Sequence, residues 1–595
     1  MVRSGSCPTG AAETRRQRFV MRLPSLVALT TVAIGIVDVV SAITPEERQR
    51  LAALTKVLPL QVAHAASAAT AVAGLLLIML AHGLARRKRR AWRGALVLLL
   101  LSGVLNVAKG LDAEEASVAL LLAALLIALS GHFRAASDPR TLRTAPLAFL
   151  GMLAASWLLG LGLLAARADE LVGHPSLGDR LREVGMGLIG GNGPVRFRTD
   201  ATSDVVFAIL LALGSITLLV PTYLAIRAAE PKPSLPPDDE RRLRDLLVRG
   251  DDSLGYFSLR RDKSVVVSST GKAAISYRVV SGVMLATGDP IGDAEAWPLA
   301  IRRFVEIARS NAWIPAVIGC SERGGESWLR HGGLRALEIG DEGIVLVERF
   351  SLSGRSMRNV RQMVNRVERA GYVTRVRRIG TLTPDEIADI RRQASAWRGA
   401  EVERGFSMAL GRFGEPGDED CVVVTAHRDD RLAAVLHFVP WGGDGLSLDL
   451  MRRDRSADAG LNELMIVAAL RSAGELGVTR VSLNFAMFRS ALERGGRLGA
   501  GPVLRLWRQA LLLASRWFQI DSLYRFNAKF DPVWVPRYLC YPRALHLPRI
   551  TVAALEAEAF LLWPSQWWKH RRLNRSAPTT GQHRDDRPAG ALTGR

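Results

Sequence analysis

Six apolar runs crowd the first 230 residues of this 595-residue chain, at about 23–43, 63–84, 94–111, 116–133, 146–166 and 205–228. Each approaches or exceeds the ~20 residues that a helix needs to cross a bilayer. Backbone polar groups in lipid must be satisfied internally, so residues 23–228 are expected to form a six-helix transmembrane domain. Basic residues set its orientation. Arg15, Arg16, Arg18 and Arg22 precede the first run; Arg86, Arg87, Lys88, Arg89, Arg90 and Arg93 follow the second; Arg134, Arg140 and Arg143 follow the fourth; Arg227 closes the sixth. The alternate connections carry Glu46 and Glu47, or Asp112, Glu114 and Glu115. The basic N-terminus (1–22) and everything after 230 are therefore predicted to be cytoplasmic, on a multi-pass protein of the cell membrane. Val40-Ser41-Ala42 loosely matches a cleavage site, but five further runs favour an uncleaved anchor. No run carries a pair of ionisable residues that would mark an ion pathway, which argues against a transporter. The connection 167–204 suggests no role.

The rest of the chain reads as a basic soluble protein. A net charge of +22 and a pI near 10.8 point to an anionic partner, nucleic acid or an acidic membrane face. Cys7, Cys320, Cys421 and Cys540 are widely spaced, as expected of reduced, idle thiols rather than a disulfide framework or zinc site. No metal cluster is expected.

After a Pro-rich linker (229–250), β-branched runs at 264–269, 272–280 and 283–293, a helix and the strand 314–320 predict a first α/β domain, 251–354. Residues 355–371 read as a connecting helix with Val360, Met363, Val364 and Val367 on one face and Arg355, Arg358, Arg366 and Arg369 on the other, flanked by Arg361. Five arginines against Glu368 suit contact with nucleic-acid phosphates as well as a solvated face. The pattern then restarts in a second domain, 372–547: a strand, a helix with a Thr383/Glu386 capping box, strands at 421–427, 431–440 and 445–451, a helix, the strand 478–486 and a helical run at 502–517. An amphipathic, interfacial helix at 548–573 and a disordered tail at 574–595 complete the expected order.

Two stretches carry candidate chemistry. In LSLDLMRRDRSADAGLNEL (446–464), Asp449 sits opposite Leu446, Leu448 and Leu450 on an alternating strand. Arg452, Arg453 and Arg455 follow, and Asp458 is the expected N-cap of the next helix. A carboxylate beside cations and helix N–H groups could hold an anion next to a proton acceptor. In LYRFNAKFDPVWVPRYLCYP (523–542), Tyr524, Phe526, Phe530, Trp534 and Tyr538 interleave with Arg525, Lys529 and Arg537. Such interleaving suits stacking on bases or resting on lipid headgroups.

These segments, with DKSVVVSS, VMLATGDPIGD, FSLSGRSMRNVRQMVNRVERAGY, SLDLMRR and YRFNAKFDPVWVPRYL in order, resemble the cytoplasmic region of the bacterial phosphatidylglycerol lysyltransferases, the aminoacyl-phosphatidylglycerol synthases or multiple peptide resistance factors. VSLNFAMFRSALERG and GAGPVLRLWR resemble the actinobacterial lysylphosphatidylglycerol synthetase branch, here expected without a fused lysyl-tRNA synthetase or an extra flippase module. The resemblance implies two tandem GNAT-like folds and no cofactor, since RRDRSADAG lacks the glycine spacing that holds coenzyme A. It implies transfer of an aminoacyl group, lysyl foremost, from charged tRNA to the glycerol hydroxyl of phosphatidylglycerol, with a separate protein flipping the product. By the same resemblance, Asp449, Arg452 and Lys529 are the expected catalytic residues. Arg537, Glu463, Asn484, Arg453 and Arg525 are expected to bind substrate, and Arg358, Arg361, Arg366 and Arg369 to bind tRNA phosphates. The reading requires Asp449, Arg452, Lys529 and Arg537 to converge on one cavity. A membrane-anchored acyltransferase using coenzyme A and a non-enzymatic RNA- or lipid-binding protein stand as alternatives.

Overall fold

The computed structural model describes residues 23, 26–40, 60–110, 113–133, 135, 141–226, 230–399, 402–487 and 520–561. The basic N-terminus, Cys7, the helical run 502–517, the C-terminal part of the interfacial helix and the tail lie outside the described residues. By contacts the chain divides into a mainly helical unit, up to Pro231 with Glu306–Trp313, and an α/β unit formed by Lys232–Val305 and Ile314 onward.

The helical unit contains α1 (Leu26–Val40), α2 (Leu60–Ala85), α3 (Arg89–Gly110), α4 (Ala113–Ala128), α5 (Thr141–Ala166), α6 (Leu177–Leu188) and α7 (Asp200–Ile226). Every predicted apolar run falls on one of these helices. Among the described residues, Ala68–Ala85, Thr144–Ala166 and Asp200–Ile226 are long and apolar enough to cross a membrane. The α6 helix lies in the connection 167–204, for which no role was expected. It starts at a Ser176/Asp179 capping box and packs directly on α7. A Cβ at Gly214 would stand 1.9 Å from the Leu188 carbonyl oxygen, so only glycine allows that approach.

The α/β unit opens with α8 (Pro237–Leu247), a helix within the expected linker, where Pro237 takes the N-terminal position that proline favours. It continues through β1 (Ser264–Val267), β2 (Ala273–Val280), β3 (Val283–Thr287), β4 (Ile291–Gly292), α9 (Trp297–Ser310), β5 (Ile314–Cys320), α10 (Glu322–Gly332) and β6 (Arg335–Leu346). The second half contributes α11 (Arg358–Arg369), β7 (Val373–Arg378), α12 (Pro384–Arg398), β8 (Val422–Arg428), β9 (Arg431–Trp441), β10 (Gly445–Arg453), α13 (Leu461–Ser472), β11 (Arg480–Met487), α14 (Ile520–Ala528), β12 (Val533–Tyr541) and α15 (Leu547–Ala557). Each half follows one plan. An antiparallel meander leads through a helix to a parallel strand: β5 beside β3 in the first half, β11 beside β10 in the second.

The halves are not separate sheets. One sheet runs β1-β2-β3-β5-β12-β6-β11-β10-β9-β8-β7. Strand β12, from the expected second domain, enters the first half between β5 and β6. Part of the interleaved stretch 523–542 thus belongs to the fold itself, while Tyr524, Phe526, Trp534 and Tyr538 stay half-buried. Phe530 is buried, Tyr524 meets Trp534 at 5.1 Å, and Phe526 meets Phe530 at 5.6 Å. Pro536 is tolerated because β5 pairs only with Tyr538–Cys540, leaving the strand one-sided at the proline. Alternate residues of β8 feed opposite cores. Val423 joins Phe406, Leu410 and Val435 on one face, while Val422 and Val424 join α11 and α13 on the other. Cys320, Cys421 and Cys540 are buried free thiols.

Candidate active site

Asp449 sits where β10 breaks register. Leu448 pairs with Phe438 and Leu450 with His437, leaving Asp449 as the extra residue of a bulge. Its carboxylate accepts the Leu410 N–H at 2.6 Å and meets His437 Nδ1 at 2.6 Å. His437 is fully buried against the Phe413 ring, and its Nε2 has no hydrogen-bond partner among the described residues. Burial lowers the imidazole pKa, but the bond to Asp449 and the neighbouring Cys421 outweigh it and raise it to about 10.

Asp449, Arg452 and Arg453 line a cavity of about 600 Å³, together with residues of α12 and of the connection after it. Arg452 donates to the Ala394 carbonyl and to Glu403, each at 3.0 Å, and burial lowers its pKa. Arg453 donates to the Ala457 carbonyl at 2.7 Å. The helix beyond begins differently from expectation. Its N-cap is Gly460, at φ 106°, with no side-chain cap, while Asp458 turns to Arg428 at 3.4 Å.

A second, larger cavity of about 970 Å³ lies between the halves of the sheet. It is lined by Asp252, Asp289, Glu342 and Arg537 on one side and by Trp441 and Arg480 on the other. All five guanidinium N–H donors of Arg537 are engaged: Nε and Nη2 by Glu342, Nη1 by Asp252 and the Gly319 carbonyl, and Nη2 also by Ser253. Asp289 accepts the Ser321 N–H and hydroxyl at 2.8 and 2.5 Å. Burial, aided by the charge of Asp252 and opposed by Arg537, raises its pKa to about 7. One buried network forms the wall between the cavities. Asp418 accepts from Tyr256 at 2.8 Å, Arg412 at 2.7 Å and Arg244 at 3.0 Å; Tyr256 and Arg244 line the larger cavity, Arg412 the smaller.

The predicted residues are thus divided rather than gathered. Asp449, Arg452 and Arg453 share the smaller cavity, Arg537 faces the larger, and Lys529 pairs with Glu463 at 2.7 Å apart from both linings. The expected convergence of 449, 452, 529 and 537 on one cavity is corrected accordingly. The chain path sends Lys529 and Arg537 to different places, because β12 crosses to the first half while α14 stays beside β11. Asn484, at φ 67°, donates to the Leu448 carbonyl and fills the splay that opens once β10 and β11 stop pairing after Ser447 and Ser482. Arg525 is exposed, as are Arg358, Arg366 and Arg369; Arg361 is half-buried and donates to the Leu352 and Gly354 carbonyls.

His437, Asp252, Asp289 and Glu342 escaped the sequence reading. A histidine in the apolar run RLAAVLHFVP was the available signal for the first. Asp289 was visible only as one residue of the run 283–293.

Residues 244–541 match the family described as phosphatidylglycerol lysyltransferase, C-terminal. The chain is 42% identical over 505 residues to the lysylphosphatidylglycerol biosynthesis bifunctional protein LysX of Mycobacterium avium (strain 104), covering 82% of this chain and 42% of that protein. It is also 42% identical over 515 residues to LysX of Mycobacterium tuberculosis (strain F11), with coverage of 82% and 42%. It therefore spans less than half the length of these relatives. Among solved structures, L-PGS from Bacillus licheniformis is similar at 22% identity and a TM-score of 0.48, covering 56% of this chain and 99% of that one. The match over 244–541 shows that this chain belongs to the phosphatidylglycerol lysyltransferase family.

Proposed function

We propose that the protein is a membrane-bound aminoacyltransferase that moves a lysyl group from charged tRNA to the glycerol hydroxyl of phosphatidylglycerol. In this reading six helices anchor it in the cell membrane with both termini cytoplasmic, and the α/β unit comprises two tandem GNAT-like folds. The product lipid carries net +1 in place of −1, which lowers surface negative charge and repels cationic peptides; a separate protein flips it outward.

The observation that carries the proposal is the division of charge between two adjacent cavities within the family's region. In the wall of the larger cavity Asp252, Asp289 and Glu342 surround one fully engaged guanidinium, Arg537, while Arg244, Arg249, Arg323 and Arg480 also reach the lining. A lysyl ester presents two ammonium groups, and such a cavity suits them. The smaller cavity is rich in arginine, which suits the phosphodiesters carried by both substrates. The reaction exchanges one ester for another. The glycerol hydroxyl attacks the lysyl carbonyl carbon and loses its proton, and the tRNA 3′ oxygen leaves as a hydroxyl by taking one up. Asp449, oriented by His437, directs the attacking hydroxyl, while Arg452 steadies phosphate. The exposed arginines of α11 (Arg358, Arg366, Arg369) and Arg361 contact tRNA phosphates.

The test is to incubate membranes containing the protein with radiolabelled lysyl-tRNA and phosphatidylglycerol. A labelled, ribonuclease-sensitive lysyl lipid is expected. Label in lipid that survives ribonuclease pretreatment, or none at all, contradicts the proposal.

A further inference from the structure

We infer that Arg398 and Arg452 form a seat for a phosphodiester monoanion and that Glu403 is a built-in competitor occupying it; this rests on the transferase reading above. Glu403 bridges the two guanidiniums, Oε2 to Arg398 Nη1 at 2.8 Å and Oε1 to Arg452 Nη2 at 3.0 Å. A phosphodiester offers the same pair of anionic oxygens to two planar donors.

Three further observations support the seat. First, the cavity is short of negative charge, with seven arginines facing three carboxylates. Two of those carboxylates have other partners: Asp449 is bound by Leu410 and His437, and Glu415 pairs with Arg261 and Arg412. Glu403 alone is left to two cations. Second, Arg398 Nε is buried with no hydrogen-bond partner among the described residues, so the guanidinium is under-used by its own chain. Third, the bridge is reachable, with Arg398 and Glu403 side chains each 32% exposed. Glu403 lies between Gly399 and Gly405, at φ 61° and 105°. These backbone conformations are ones that glycine adopts readily. A purely structural ion pair needs neither the surplus cation nor the unpartnered Nε.

The test uses the full chain in discs of zwitterionic lipid, with melting read in sodium phosphate against sodium chloride at equal ionic strength. Phosphate raises the wild-type melting temperature. Glu403→Gln enlarges that shift, because the competitor is gone, and Arg398→Gln abolishes it. Kinetics name the source. A KM raised about tenfold by Arg398→Gln for charged tRNA places the RNA diester in the seat; the same rise for phosphatidylglycerol places the lipid's there. A Glu403→Gln chain whose phosphate shift is no larger than wild type, or an Arg398→Gln chain with both KM values unchanged, overturns the inference. Lysyl transfer that persists while the phosphate response fails removes the seat alone. A phosphate response without transfer leaves the seat and removes the transferase reading.

Discussion

The two cavities of the α/β unit share a wall and differ in charge: six carboxylates and five arginines line the larger, three carboxylates and seven arginines the smaller. In the larger, the buried guanidinium, Arg537, has committed all five donors to acids, serine and a carbonyl, so Asp252, Asp289 and Glu342 outnumber the cation they surround. In the smaller, it is the acids that are committed, and arginine sets the character. On the proposed reading, the difference lets a chain of net charge +22 host a cationic group. It buries a local acidic cluster and seals it behind the Asp418 network, leaving its surplus positive charge for polyanions.

The largest effect expected from breaking this arrangement follows removal of Arg537. Arg537→Gln leaves Asp252, Glu342 and Asp289 facing one another without their cation and should cost about 3–5 kcal/mol in urea unfolding. A drop under about 1 kcal/mol would mean that the acidic cavity does not depend on that cation. Next is Asp449→Asn, which keeps the shape of the bulge and removes the charge facing His437. Lysyl-lipid formation should fall roughly 100-fold, with tRNA binding retained, as read by single-turnover transfer and fluorescence anisotropy.

Asp289 sharpens the comparison through pH. Its folded-state pKa, about 7, lies above the ordinary 3.8. The folded state therefore holds the proton more tightly, and stability declines as pH rises from about 4 through 7. Asp289→Asn should flatten the melting temperature between pH 5 and 8; an unchanged slope would place the titration elsewhere. The smallest effect belongs to the basic helix. Arg358→Ala with Arg366→Ala should reduce the log–log salt slope of tRNA binding by roughly 0.7–0.9 for each phosphate no longer neutralised, with little change in melting.

Much of this was legible in the sequence where the signal was local. The alternation at 445–451, the Thr383/Glu386 capping box and the strand Ile314–Cys320 all follow from nearest-neighbour chemistry. The repeated meander–helix–strand order was visible for the same reason. What escaped depends on crossings between distant segments. The placement of β12 between β5 and β6 is set by pairing over some 200 residues, and it carried Arg537 away from Asp449. A one-residue bulge joined Asp449 to His437, twelve positions upstream, which alternation alone would not suggest. Asp252, Asp289 and Glu342 come from three separate connections and strands, and no spacing rule brings them together.

The most direct measurement of the two-cavity account is substrate preference in the Asp289→Asn chain, comparing kcat/KM for lysyl-tRNA with that for alanyl-tRNA on the same phosphatidylglycerol vesicles. The account predicts that the lysyl preference of the wild type falls at least tenfold while the salt dependence of tRNA binding stays as it was. An unaltered preference, or a failure of tRNA binding in its place, would contradict the assignment of the acidic cavity to the amines.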